Sequence, residues 1–186
     1  MPACLENVRC GPTRGIEKAQ IRQYATCGWV HAKHNIIIRG ATGVGKTFLA
    51  CALSESACRR GMRALFRRAP RLLEELALAR ASGTFGATLA RLAKFDVLVI
   101  DDFLLVPLSD AEKRDLLEVL EDRYGHSSTI LTSQLDPKTW HESLGDPSMA
   151  DAICDRVVHN AHVIGLRGPS IRKEKGLGSD EEPARA

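Results

Sequence analysis

Lys46, Thr47, Asp101 and Asp102 are the side chains on which this sequence's chemistry turns. The first two close the run Gly40-Ala41-Thr42-Gly43-Val44-Gly45-Lys46-Thr47, which fits the pattern G-x-x-x-x-G-K-[ST]. Glycine at 43 and 45 lets backbone N–H groups approach phosphate oxygens, and a helix beginning here adds the positive end of its dipole. In such a loop Lys46 reaches the β- and γ-phosphates of a nucleoside triphosphate and the Thr47 hydroxyl ligates Mg²⁺. The expected nucleotide contacts run from Gly40 through Phe48, with a nucleoside triphosphate and Mg²⁺ bound there. Asp101 and Asp102 end the apolar block Phe95-Asp96-Val97-Leu98-Val99-Ile100. Asp101 is expected to hold Mg²⁺ through water, and Asp102 to orient or deprotonate the water that attacks the γ-phosphate. Glutamate is the commoner residue for that last task. Aspartate is one methylene shorter, which implies slow turnover. The bland alternatives are a glycine turn capping an ordinary helix and two aspartates ending a strand; each weakens once the other motif is present.

The flanking sequence supplies the elements that such a site needs. Asn35-Ile36-Ile37-Ile38-Arg39 reads as a buried strand leading into the loop, and Phe48 to Arg60 as the helix leaving it, with Leu49, Ala52, Leu53 and Ala57 at helical spacing. Ala64 to Arg67 reads as a second strand, and Pro70 opens a helix bearing Leu72, Leu73, Leu76 and Ala79. Ser82-Gly83 ends that helix, and a shorter one spans Phe85 to Ala93. The block Phe95 to Ile100 is apolar throughout, as a strand covered on both faces must be. Ser109-Asp110-Ala111-Glu112 is a capping box for a helix to about Tyr124. Thr129 to Thr132 and His162 to Leu166 are further strands, with short helical pieces near Pro137 to Ser143 and Ser148 to Val158 between them. Strands alternating with helices predict an α/β fold: a five-stranded parallel sheet flanked by helices, with a P-loop NTPase core. In such a sheet Lys46 and Asp101, 55 positions apart, both lie at the carboxyl ends of strands, where ligands collect.

At the amino end, Met1 to Arg14 reads as an extended arm and Ile16 to Trp29 as a linker helix. The expected organisation is an arm and linker over 1–30, an ATPase domain over 31–173 and a disordered tail over 174–186. The 186 residues suit one domain, and 44% hydrophobic with 26% charged residues is ordinary for a globular protein. No apolar run is long enough for a bilayer and Met1 to Gln20 lacks a signal-peptide core, so no membrane partner and a cytoplasmic location are expected. The six cysteines form no C-x-x-C pair, which fits a reducing compartment without zinc. A net charge of +3 permits nucleic-acid binding without arguing for it.

From Arg14 to Lys173 the sequence resembles the IstB family, AAA+ ATPases that accompany the transposases of certain bacterial insertion sequences and are related to DnaC-type helicase loaders. The resemblance is carried by Gly40 to Thr47, Ala69 to Arg80, Val99-Ile100-Asp101-Asp102, Arg114 to Glu118 and Glu121-Asp122-Arg123-Tyr124-Gly125. It continues through Thr132-Ser133-Gln134-Leu135, Trp140-His141-Glu142, Gly145-Asp146-Pro147, Ala150 to Ile153 and Asp155 to His162. It implies the AAA+ type of core without a C-terminal lid domain. Gln134 then falls at the sensor-1 position, facing the γ-phosphate or the attacking water. Arg156 falls where AAA+ proteins carry an arginine finger, inserted into a neighbouring subunit's ATP site within a homo-oligomer. Its plainer reading is a salt bridge to Asp151 or Asp155 on its own helix. Arg172 falls where such proteins sense nucleotide from the C-terminal side. The family normally carries a small helical domain ahead of the linker, so the resemblance implies a chain shortened at that end.

Seven arginines lie between Arg59 and Arg80, with Glu55, Glu74 and Glu75 nearby. The resemblance places a DNA-contacting helical segment after the second strand, and Arg67, Arg68 and Arg71 are the expected phosphate contacts to duplex DNA, without sequence preference. A solvated helix face with Glu74 and Glu75 pairing along it is the alternative. His31 with His34, and His159 with His162, have metal-like spacing but no third ligand close in sequence, and are expected to be structural. The implied function is an ATP-hydrolysing AAA+ regulator of transposition that assembles on DNA with a transposase as partner. The alternatives are a DnaC-like helicase loader and a nucleotide-gated DNA-binding module with negligible hydrolysis.

Overall fold

The computed structural model describes residues 3–171. Its centre is a five-stranded sheet of β1 (Asn35–Arg39), β2 (Ala64–Arg68), β3 (Val97–Asp101), β4 (Ser128–Ser133) and β5 (Ala161–Gly165). The spatial order is β2-β3-β4-β1-β5 and every pairing is parallel. Parallel neighbours need crossovers, and the helices supply them. They are α1 (Lys18–Ala25), α2 (Gly28–His31), α3 (Lys46–Arg59), α4 (Ala69–Ala81), α5 (Phe85–Ala93), α6 (Asp110–Arg123), α7 (Trp140–Leu144) and α8 (Pro147–Val158).

Side chains alternate along a strand, so one isoleucine run feeds two cores. Ile37 joins Leu98, Ile100 and Leu131 under α4, α6 and α8, where Leu72, Leu76, Leu116, Leu120, Ile153 and Val157 pack. Ile36 and Ile38 join Val99 and Ile130 on the other face, beneath Leu49 and Leu53 of α3 and Ile21, Trp29 and Val30 of the amino-terminal segment. Each fully buried aliphatic side chain contributes about 1.5–3 kcal/mol. The helix starts follow local chemistry. Ser109 and Glu112 form the expected capping box, with Ser109 N donating to Glu112 Oε2 at 2.7 Å, and Pro70 lies in the first turn of α4.

The amino-terminal segment departs from the expected extended arm. Leu5–Asn7 and Pro12–Arg14 form 3-10 turns, Leu5 is buried beside α3, and Gly11 and Ile16 make an antiparallel bridge. The expected linker helix is two helices, because Cys27 takes a left-handed φ of 58° between them. Apolar Leu5, Val8, Ile16 and Ile21 find a face of the sheet assembly to cover, so the segment folds onto the core. The six cysteines are free thiols, and Trp140 is buried with its ring edge against Phe103. Among the described residues no lid domain follows β5, and no helix is long and apolar enough to cross a membrane. The expected tail at 174–186 and Arg172 lie outside the described residues.

Candidate nucleotide site

β1 ends at Arg39 and α3 begins at Lys46, so the glycine run is the bend between strand and helix at the sheet's carboxyl edge. Two glycines are needed where backbone meets backbone. A Cβ on Gly40, whose φ is 151°, would lie 2.5 Å from the Leu166 carbonyl oxygen, and one on Gly15 would collide with the Gly165 carbonyl. The glycine run, the exit of β5 and the amino-terminal segment are therefore in direct main-chain contact. Leu166 N donates to Arg39 O at 2.8 Å and Ile171 N to Gly43 O at 2.9 Å. Arg14 Nη2 donates to Val44 O at 2.8 Å, and its Nη1 to Pro169 O at 3.2 Å.

Lys46 is the first residue of α3 and is buried; its Nζ donates to Gly40 O at 2.8 Å and to Ala41 O at 3.0 Å. A cation held by carbonyls of its own loop can exchange those partners for phosphate oxygens. Thr47 Oγ1 donates to Asp101 Oδ1 at 2.9 Å and Oδ2 at 3.1 Å, so the two expected metal-holding residues touch. Thr132, near the end of β4, adds a second donor: its Oγ1 lies 2.6 Å from Asp101 Oδ1. The same oxygen accepts from Asp102 N at 3.0 Å. Asp102 itself turns in the left-handed region, φ 59°, and its Oδ2 accepts from Arg68 Nη2 at 2.6 Å.

These groups open onto a cleft of about 610 Å³. It is lined by Thr42 to Leu49 of the loop and helix, by Asp102, Arg68 and Gln134, and by Asn7, Val8 and Arg9 of the amino-terminal segment. The donor set suits a magnesium nucleotide. A hydroxyl and a carboxylate oxygen lie together beside a buried lysine, and Mg²⁺ is normally held by few protein ligands plus substrate phosphates. Among the described residues no three His, Cys, Asp or Glu side chains gather as an all-protein metal site. Cys51, one turn beyond Thr47, has its thiol pushed up by burial and then by Asp101, so it stays protonated.

The other expected residues divide. Phe48 and Gln134 line the cleft with the loop. Arg156 does not reach it: on α8 its Nε donates to Glu121 Oε2 at 2.5 Å and its Nη1 to Asp155 Oδ2 at 3.3 Å. The backbone oxygen of Arg156 accepts from Asn35 Nδ2 at 3.1 Å, at the start of β1, the strand end opposite the glycine run. Arg67 pairs with Glu75 and Arg71 with Glu74, which is the ion-pairing the solvated-face alternative expects; Arg68 pairs with Asp102. The histidines pair across strands, not along the chain, with His34 Nδ1 3.0 Å from His162 Nε2. Burial, then His34, lowers the His162 pKa. Three participants escaped the sequence reading: Arg14, Thr132 and the Arg68 partner of Asp102. Thr132 carried a faint signal, lying two residues before Gln134 at a strand end.

Comparison with known proteins agrees with this geometry. The family model described as IstB-like ATP binding protein matches residues 1–179. A Sinorhizobium fredii protein named as an insertion-sequence ATP-binding protein is 46% identical over 170 residues, 91% of this chain and 69% of that protein. A Pseudomonas fluorescens protein named likewise is 49% identical over 137 residues, 74% of this chain and 59% of its own length. Among solved structures, the DnaC helicase loader superposes with a TM-score of 0.71 at 20% identity, covering 89% of this chain and 97% of the loader. AMPPCP-bound DnaA from Aquifex aeolicus gives 0.71 at 19% identity, over 93% of this chain and 54% of DnaA. At such identities these two speak for the fold alone.

Proposed function

This chain belongs to the family of IstB-like ATP-binding proteins, and we propose that it is an ATP-hydrolysing AAA+ regulator of transposition. The observation that carries the reading is the contact of Thr47 with Asp101 beside buried Lys46 at the mouth of the cleft. The triphosphate lies along the backbone N–H groups from Gly43 to Thr47, and Lys46 exchanges the Gly40 and Ala41 carbonyls for phosphate oxygens. Thr47 and Asp101 would hold Mg²⁺, which would neutralise charge developing on the phosphates. Thr132 fixes the Asp101 carboxylate, Asp102 takes the proton of the attacking water, and Gln134 orients that water or the γ-phosphate. Arg156 serves a neighbouring subunit, since the fold holds it away from its own cleft. Relatives named for insertion sequences support a transposase partner, and duplex DNA, held through Arg67, Arg68 and Arg71 without sequence preference, is the platform for assembly.

Calorimetric titration with ATP and Mg²⁺, followed by phosphate-release kinetics, tests this. Lys46→Ala abolishes ATP binding, whereas Asp102→Asn binds ATP and stalls, losing about 10²–10⁴-fold in turnover. Unchanged ATP affinity in Lys46→Ala removes the nucleotide site from this loop. Wild-type phosphate release by Asp102→Asn removes the water-activating role. A second reading, a nucleotide-gated DNA-binding module with negligible hydrolysis, rests on the engagement of Asp102 by Arg68. Phosphate release that stays at background with and without duplex DNA favours it.

A further inference from the structure

We propose that Arg14 is a positioning residue for phosphate binding: it holds the Val44 carbonyl and so presents the Gly45 N–H to the anion. The inference rests on the reading above that the run from Gly40 to Thr47 wraps a triphosphate. Arg14 closes the 3-10 turn Pro12–Arg14, well ahead of the sheet in sequence, yet it lines the cleft. Its guanidinium forks between two carbonyls. Nη2 donates to Val44 O at 2.8 Å and Nη1 to Pro169 O at 3.2 Å. The arginine is anchored through its own main chain: Arg14 N donates to Gly11 O at 2.9 Å, and Arg167 N to Arg14 O at 3.0 Å. Gly168, with a φ of 98°, leaves the space that the fork fills, since a Cβ there would lie 2.8 Å from Arg14 Nη1.

In a planar trans peptide the C=O of one residue and the N–H of the next point in opposite directions. A donor that captures Val44 O therefore aims Gly45 N–H away from itself. Ile171 N does the same for the preceding peptide, taking Gly43 O at 2.9 Å and so directing Val44 N–H. Two successive peptides of the run are thus held at their carbonyls by donors from outside it. The φ values are 82° at Gly43 and 105° at Gly45, with Val44 outside the left-handed region between them. Such alternation makes successive N–H groups converge on an anion. The N–H groups of Gly43, Val44 and Gly45 meet no backbone acceptor among the described residues. A peptide flanked by glycine turns over easily, and a flipped Val44 peptide would offer phosphate a carbonyl oxygen instead of a donor. Arg14 removes that alternative before the ligand arrives, which lowers the ordering cost of binding.

Two measurements test the proposal. The first is calorimetric titration with ATP and with inorganic tripolyphosphate, both in EDTA so that nothing is hydrolysed. Arg14→Ala weakens both ligands by the same factor, about tenfold, the loss expected when one N–H is no longer presented to a charged acceptor. Arg14→Lys keeps the charge but not the planar fork, so its affinities fall between. Undiminished tripolyphosphate affinity in Arg14→Ala overturns the proposal, whether or not ATP affinity falls. Native affinity in Arg14→Lys overturns it too, because charge alone then suffices. The second measurement is the amide resonance of Gly45 in the ¹⁵N-labelled protein. Saturating tripolyphosphate displaces it in the native chain, and Arg14→Ala shrinks that displacement; an equal displacement in both contradicts the peptide-holding role. Lys46→Ala separates this inference from the reading beneath it. If Lys46→Ala binds tripolyphosphate as the native chain does, the phosphate site lies elsewhere and the role of Arg14 falls with it. If Lys46→Ala loses binding while Arg14→Ala keeps it, the site stands and only the role of Arg14 fails.

Discussion

Thr132 serves two neighbours with one hydroxyl, donating to Asp101 Oδ1 and accepting from Asp102 N. It thereby sets the angle of the carboxylate proposed to hold Mg²⁺ and the backbone turn that launches the one proposed to activate water. Thr132→Val keeps the volume and removes both bonds. Turnover should fall about 10–100-fold, as for other residues that orient a metal ligand, while nucleotide binding without Mg²⁺ is retained. Phosphate release set against ATP titration in EDTA checks this, and an unchanged rate refutes it. Lys46, Thr47 and Asp101 were legible in the sequence because each sits in a local pattern whose neighbours say strand, loop or helix. Thr132 was not, because its role exists only where β3 and β4 lie side by side, 31 residues apart in the chain. The Asp102 partner of Arg68 was hidden for the same reason. Its charge suggested a contact outside the molecule, and a strand end 34 residues away also supplies one within it.

Element boundaries followed local chemistry closely. β1 coincides with the expected Asn35 to Arg39, α5 with Phe85 to Ala93, and the start of α6 with its capping box. The misses came where a tertiary contact overrides local preference. Cys27 takes a left-handed turn that no glycine announces, and Leu5 folds the presumed arm onto α3. Arg123 shows the same limit from inside an element. Its residue type and its place in the last turn of α6 suggest an exposed cation, yet it is 1% exposed. It donates to Leu92 O at 2.8 Å, Phe95 O at 2.9 Å, Ser128 O at 2.5 Å and Thr129 Oγ1 at 3.1 Å. Burial lowers its pKa to about 10, partly offset by attraction to Asp96. One guanidinium thus fastens the end of α5 to the start of β4. Arg123→Met leaves those carbonyls unmet and should cost about 3 kcal/mol or more, since each abandoned buried acceptor costs about 1–3. A urea midpoint unchanged from the native protein would contradict this.

For the whole molecule, the alternation of strands and helices announced a parallel sheet, but the order β2-β3-β4-β1-β5 was not readable. Order depends on which crossovers skip a strand, and apolar periodicity is silent on that. The order matters for Arg156, which the fold holds on α8, its backbone oxygen bonded to Asn35 at the far end of β1. A chain that carries such an arginine off its own cleft is incomplete alone in the proposed function. Arg156→Ala and Lys46→Ala should each be inactive, and an equimolar mixture should regain turnover, because one subunit supplies the arginine and the other the nucleotide. A mixture as inactive as its components, or full activity in Arg156→Ala alone, would exclude shared sites.

The glycines at 15 and 40 bring a consequence for motion. With hydrogen where other residues carry carbon, the loop and the amino-terminal turns each press main chain against the outlet of β5, Gly40 on Leu166 and Gly15 on Gly165. Such a joint has no slack. Whatever lifts the loop when a nucleotide arrives drags the other two with it, so occupancy is broadcast to surfaces that no phosphate ever touches.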